Sequence, residues 1–366
     1  MRKAAFSILS LVFTSMMLAF FSHPEPVVDD GPYVLYHNGK VYAKYIMRTD
    51  AAKTVRTDSL GENDRERLAI RVDGDEPGQS FFVTLKPQLT DEKSEYKNAK
   101  KILAISDIEG NFRALRRLLQ GNGVIDKDFN WTFGTGHLVL TGDFFDRGAH
   151  VTEVLWLIYS LEEKAKAAGG YVHYILGNHE IMNLNGDVRY VNAKYFENAA
   201  LMNEDYMALY SDSAELGRWL RTKNVIERVG DILFVHGGIS QEVNALDIQA
   251  AKINRLVRPF YADTSYQYPD ARSSLLYSDA GPFWYRGYYM EPSANMAQVD
   301  STLNLFGTKY IATGHTIIAD TITVNFNGTV FNTDVHHASG RSEALLLENG
   351  HFYRVDAVGQ RSLIRN

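Results

Sequence analysis

Hydrophobic and polar positions follow two different patterns on either side of residue 100. Over residues 31–96 the chain reads as strand-sized apolar segments broken by turn residues. Tyr33-Val34-Leu35-Tyr36 and residues 41–47 flank Asn38-Gly39, a pair that accepts the left-handed backbone of a tight hairpin turn. Residues 68–72 and 81–85 predict two more strands, parted by Asp73-Gly74-Asp75-Glu76-Pro77-Gly78. Asp91-Glu92-Lys93-Ser94-Glu95 predicts a solvated linker. Residues 31–96 therefore read as a small β-rich accessory region for packing or docking. Its only histidine, His37, has no acidic neighbour in sequence.

After residue 100, five short apolar runs each end in a polar cluster. Residues 101–106 lead into Asp107-Ile108-Glu109-Gly110-Asn111, and residues 137–141 into Gly142-Asp143-Phe144-Phe145-Asp146-Arg147-Gly148. Residues 171–176 lead into Gly177-Asn178-His179-Glu180, residues 231–235 into His236-Gly237-Gly238, and residues 310–313 into Gly314-His315-Thr316. Runs of this length and composition are buried strands. Between the first three lie two helical patterns. One carries Phe112, Leu115, Leu118 and Leu119 on one face and closes at Gly121; the other carries Val151, Val154, Leu155, Ile158 and Leu161 and closes at Gly169. Two successive βαβ units, and hence an α/β fold, are predicted. All five clusters fall at strand carboxyl ends, where open α/β sheets collect their functional groups. Residues 190–220 are helical in pattern and rich in aromatics, as expected of a cap over the sheet edge that, with Tyr285, Tyr288 and Tyr289, shapes an entrance.

Composition narrows the function classes. The chain has 366 residues, 45% hydrophobic and 22% charged, as ordinary folded proteins do. A formal net charge of -6 argues against a sequence-independent nucleic-acid binder. The absence of cysteine removes disulfides, thiolate metal sites and cysteine nucleophiles together. Arg2 and Lys3 precede an apolar run over residues 4–21, then His23-Pro24-Glu25-Pro26. Residues 1–22 thus predict a signal peptide or an N-terminal anchor, and an exported chain, periplasmic or held at the membrane facing the periplasm.

Carboxylates, an amide oxygen and imidazoles converging on one edge make a site for divalent cations. Asp143 is expected to bridge two of them. Asp107 and Glu109, facing one side of an extended strand end, complete one set with Asp143. Asn178, His236 and His315 complete the other with Asp143. His179, next to Asn178, is the expected general acid, oriented by Asp146. Arg147 offers a planar fork for phosphate oxygens, and Arg286, among Trp284, Tyr285 and Tyr288, offers a second. Plainer readings stand beside these: Asp107 and Asp143 as helix caps, Asp146-Arg147-Gly148 as a surface turn, Arg286 stacked on aromatics. His137, His150 and His173 read as structural. Asp334, His336 and His337 are placed to support a ligand imidazole by a hydrogen bond, with direct binding of a metal as the other reading.

The ordered set Asp-x-Glu-Gly-Asn, Gly-Asp-x-x-Asp-Arg-Gly, Gly-Asn-His-Glu, His-Gly-Gly and Gly-His resembles the calcineurin-like metallophosphoesterase superfamily. Within it the chain is most similar to the phosphoprotein phosphatase branch and its bacterial Shewanella-type members, which residues 185–191 and 284–288 also resemble. The resemblance runs from residue 101 to about residue 347 and leaves out the β-rich extension. It implies a β-sandwich flanked by helices over residues 100–360, a dinuclear metal centre, and phosphate-ester hydrolysis by a metal-activated water without a covalent intermediate. One position departs: Glu109 stands where the family has histidine. An all-oxygen first set favours manganese, magnesium or iron over zinc and polarises water less strongly. Two divalent ions are therefore expected, manganese first, with iron, magnesium or zinc as other fits. The expected activity is hydrolysis of phosphate monoesters on a phosphorylated protein or a small phosphorylated substrate. A phosphoanhydride hydrolase of the dinucleoside polyphosphatase type and a catalytically weak phosphate-binding module are the other readings.

Overall fold

The computed structural model describes residues 27–50 and 52–365. The expected leader or anchor, residues 1–22, lies outside the described residues. No described helix is long and apolar enough to cross a membrane.

The N-terminal region begins with β1 (Val27–His37), β2 (Lys40–Arg48) and β3 (Lys53–Gly61), which form an antiparallel sheet in that order. The turn between the first two is the expected one, with positive φ at both Asn38 (50°) and Gly39 (72°). The sequence reading did not include β3. Its segment, Lys-Thr-Val-Arg-Thr-Asp-Ser-Leu-Gly, buries no residue fully. The ladder to β2, running from Arg48–Lys53 to Lys40–Gly61, holds it instead. β4 (Ile70–Asp73) and β5 (Ser80–Val83) pair as a second small hairpin.

The remaining strands form two six-stranded sheets. β6 (Glu95–Tyr96) starts the segment, followed by β7 (Lys101–Ile105), β8 (His137–Thr141), β9 (Tyr171–Ile175), β10 (Ile226–Val229), β11 (Ile232–Val235) and β12 (Tyr310–Thr313). β13 (Thr323–Asn325), β14 (Val330–Asn332), β15 (Glu343–Glu348), β16 (His351–Asp356) and β17 (Arg361–Arg365) complete them. One sheet runs β17-β16-β15-β7-β8-β9 and the other β13-β14-β12-β11-β10-β6. β7, β8 and β9 are mutually parallel, as two βαβ units require, through α1 (Phe112–Gly121) and α2 (Val151–Ala167).

Side-chain alternation shows how the layers stack. Ile102 and Ala104 of β7 and Val139 of β8 share one core cluster with Ile232, Phe234, Ala312 and Phe331 of the other sheet. Leu103, Ile105, Leu138 and Leu140 point the other way, into the cluster formed with the helices. Strands apolar on both faces are therefore buried twice, once between the sheets and once under helices. The sandwich implied by the resemblance is the observed architecture. The five runs are not one sheet, however: three end in the first sheet and two in the second. Backbone bonds join their carboxyl ends, Asp107 N donating to Gly142 O at 2.9 Å and Gly314 N to His236 O at 2.9 Å.

α2 is buried nearly all round, Trp156, Leu157 and Tyr159 included, although its sequence marks one apolar stripe. The N-terminal strands cover its second face. Trp156 Nε1 donates to Pro32 O at 2.7 Å, and Lys86 N donates to Tyr159 Oη at 2.7 Å. The predicted linker is solvated at Asp91, Lys93 and Glu95, as expected, but it is not free of the core. Asp91 pairs with Arg258 at 3.1 Å, and Glu92 accepts from Lys223 at 3.0 Å and from Tyr171. Ion pairs with distant partners, invisible to local charge pattern, hold this segment against the core.

Candidate active site

Most expected site residues sit on loops leaving strands, Asn178 and His179 open the helix that follows β9, Arg286 lies on a loop between two helices, and six of the set hold left-handed backbone. φ is 53° at Asp107, 48° at Glu109, 61° at Asp143, 69° at Asp146, 54° at Arg147 and 69° at His315. Non-glycine residues occupy that region at a cost and persist there only where their surroundings fix them. Here one buried side chain does much of the fixing. Glu180, on α3 (Asn178–Asn185), accepts from Asp143 N at 2.9 Å, Phe144 N at 2.7 Å, Gly177 N at 2.7 Å and Tyr174 Oη at 2.9 Å. It clamps the loops after β8 and β9 together. Close packing leaves no room beside them: a Cβ at Gly177 would lie 2.3 Å from Asp143 Oδ1, and one at Gly314 would lie 2.3 Å from Asp107 Oδ2.

The donors expected around the second cation come together. Asp143, His236 and His315 are buried, and they can each offer an atom within 4.8 Å of the others. His236 Nε2 lies 3.1 Å from Asp143 Oδ2 and 3.0 Å from Asn178 Oδ1. Its Nδ1 is 2.8 Å from Thr141 O, a bond only an N–H can make, so Nε2 is the nitrogen left as donor. For His315 the roles reverse: Nε2 is 3.2 Å from Trp284 O, leaving Nδ1. A carboxylate, an amide oxygen and two oriented imidazoles fit a divalent ion of the first transition row. The charges agree. Burial works against Asp143 ionising, but His236 and His179 outweigh it and hold it well below the usual carboxylate range. Burial disfavours charge on His236 as well, yet Asp143 and Asp107 raise it to about 10. Asp107, buried and facing Asp143, is pushed up to about 6.

The first set assembles differently from expectation. β7 ends at Ile105, so Asp107 and Glu109 occupy a looped segment and do not alternate along an extended strand. Asp107 accepts from His315 N, 3.2 Å from each carboxylate oxygen. Glu109, about a quarter exposed, pairs with the Arg147 guanidinium. Arg147 also lies over Tyr190, its guanidinium carbon 5.2 Å from the ring centre. Arg286 is exposed; it donates to His315 O and, at 3.1 Å, to Thr316 Oγ1.

His179 and Asp146 form the expected pair, Nδ1 to Oδ2 at 2.6 Å. Asn183, one turn further along α3, donates to Asp146 Oδ1 at 2.8 Å and to His179 O at 2.8 Å. Burial opposes a charge on His179, but Asp143 and Asp146 raise it above the ordinary histidine value. The sequence reading missed Glu180 and Asn183 as organisers. The signal for Asn183 was its place four residues after His179 on a short helix. His137 and His173 are structural, joined at 2.8 Å and ending on buried Glu227.

Two expectations fail on geometry. Tyr288 is buried at 4% exposure and Tyr289 bonds Thr313 Oγ1 at 2.6 Å, and neither is among the residues lining the cavity beside Arg286. Tyr285 does line that cavity of about 650 Å³, with Trp284 and Arg286. Asp334 supports no ligand imidazole by a hydrogen bond, because the bonded ring nitrogens of His236 and His315 have the partners given above.

Residues 100–319 match the family model described as calcineurin-like phosphoesterase. The chain belongs to that family. Calcineurin-like phosphoesterases of this kind act with divalent metal ions, and this chain is a phosphatase of phosphoprotein phosphatase type, a phosphoric monoester hydrolase. It is 37% identical to the cold-active protein-tyrosine phosphatase of a psychrophilic Shewanella species, covering 92% of this chain and 99% of that one, with a TM-score of 0.82. It is 30% identical to Shewanella-like protein phosphatase 1 of Plasmodium berghei over 66% of this chain and 70% of that protein. Shewanella-like protein phosphatase 2 of Arabidopsis thaliana is 25% identical over 72% and 79%, respectively.

Proposed function

We propose that this phosphoesterase removes phosphate from phosphoproteins, phosphotyrosine included, at a centre of two divalent ions with manganese as the preferred metal. The observation that carries the reading is the His179–Asp146 pair set beside the buried donors Asp143, Asn178, His236 and His315. When bound, such ions polarise a phosphoryl oxygen and lower the pKa of water. The chain's own groups supply the rest. Asp143, anionic and central, would be the ligand common to both ions. His179 Nε2 gives a proton to the departing ester oxygen, while Asp146 fixes the ring through Nδ1. Arg147 and Arg286 bind the equatorial phosphate oxygens as planar forks. The kinship with a protein-tyrosine phosphatase along nearly the whole chain supports a protein-borne monoester over a small one.

A panel tests this. With manganese supplied, phosphotyrosine and phosphoserine peptides should turn over well ahead of a phosphodiester and a dinucleoside tetraphosphate. Preference for the tetraphosphate would favour the anhydride reading, and no turnover of any substrate would leave only a binding module. Export is proposed from Arg2, Lys3 and the apolar run of residues 4–21. The full-length chain expressed in a bacterium should appear in the periplasm or facing it at the membrane. Recovery only from the cytosol would sink that proposal.

A further inference from the structure

Residue 334 occupies a position that the proposed roles leave unused. It follows β14 on a short loop tied to two site segments. Thr333 Oγ1 donates to Ser106 Oγ at 2.9 Å, next to Asp107, or to Thr313 O at 2.8 Å. Asn332 bridges the same region, accepting from Asp334 N at 2.8 Å and donating to Thr316 O at 2.7 Å, next to His315. The loop thus carries Asp334 between the first and fifth motifs.

Asp334 is only 4% exposed. Its carboxylate makes no hydrogen bond or ion pair with any described residue; the residue bonds through its backbone nitrogen. It lines a cavity of about 420 Å³ together with Asp107, Glu109 and Arg147. A carboxylate this deeply buried with no donor among the described residues, set near Asp107 and Asp143 and offset only in part by His236 and Arg286, is a costly arrangement in the protein alone. A cation relieves it. Glu109, by contrast, already has a cationic partner in Arg147.

Resting on the two-metal reading above, we infer that Asp334 supplies the carboxylate ligand of the first metal that the motif position 109 does not, completing a set with Asp107 and Asp143. Glu109 is instead the partner that parks Arg147 at the mouth of the site. The first metal keeps an all-oxygen set, so the preference for a hard ion such as manganese follows from Asp334 as well.

Metal content decides it without reference to turnover. The full chain is saturated with manganese, desalted, and assayed by elemental analysis and electron paramagnetic resonance. The unsubstituted chain should hold two ions and show a spin-coupled spectrum. Asp334→Asn, isosteric and without charge, should hold about one and show the hyperfine pattern of an isolated ion. Glu109→Gln should hold two and stay coupled. Retention of two ions by Asp334→Asn, or loss of one by Glu109→Gln, overturns the assignment. An unsubstituted chain that holds fewer than two overturns the two-metal reading itself, which separates the two failures. Should Asp334→Asn not fold, Asp334→Glu takes its place: two ions with weaker affinity for one are expected, and unchanged affinity for both overturns the assignment.

Discussion

Substituting His179 by asparagine should lower turnover of an alkyl phosphate about a hundred- to ten-thousand-fold, the range a positioned general acid contributes. The loss should be much smaller for p-nitrophenyl phosphate. An alkoxide is a poor leaving group and needs its proton as the bond breaks, whereas nitrophenolate departs without one. The geometry behind this is specific. His179 Nδ1 is held by Asp146 at 2.6 Å, which leaves Nε2 free to act, and Nε2 lies 3.8 Å from Asp143 Oδ2 at the edge of the donor cluster. Tyr190 packs against the ring with centroids 5.2 Å apart. Bound metal, read by elemental analysis, should not change. Equal losses for both substrates, or a loss of metal, would remove His179 from the acid role.

The second large effect concerns stability. Lys223 is buried at 1% exposure between Glu162 at 2.7 Å and Glu92 at 3.0 Å, and Glu162 also receives Lys86 and the Trp219 indole. The network joins α2 to Lys86 and Glu92, which follow the N-terminal hairpins, and to Trp219 and Lys223, which precede β10. Lys223→Ala takes the shared cation from two carboxylates, leaving Glu162 with Lys86 and Trp219 and Glu92 with Tyr171, and removal of one partner of a buried pair typically costs about 3–5 kcal/mol. Urea denaturation should read a loss of that order, and adding Glu162→Gln should cost less than the sum of the two single changes. A loss under about 1 kcal/mol, the value of an exposed pair, would mean the network contributes little. The same network sets an acid limit. Burial opposes ionisation of Glu92, but Lys223 and Tyr171 overcome it and depress its carboxyl from 4.5 to about 2. A depressed carboxylate contributes its stabilisation fully above 4.5 and loses it as pH falls toward 2. Unfolding midpoints measured down that range should fall more steeply for the unsubstituted chain than for Lys223→Ala.

The sequence by itself determined where the chemistry is carried. Each of the five motifs follows an apolar run that can only be a buried strand, and glycine, aspartate and histidine at such an end are readable because strand, turn and motif are contiguous. The Asn38-Gly39 turn, the two crossover helices and the His179–Asp146 pairing were legible for the same reason. Tertiary structure alone decided the rest. β3 exists because a neighbouring ladder holds it, although its own residues bury little. α2 is covered on both faces because strands from residues 27–37 and 70–83 close over it. Glu109 meets Arg147 because β7 and β8 pair side by side, and Asp334 stands beside Asp107 without a partner because their loops leave strands of different sheets and converge only once the two are stacked. Periodicity and turn chemistry act between neighbours in the chain. The pairing of charges acts between neighbours in space, and only the packed fold says which those are.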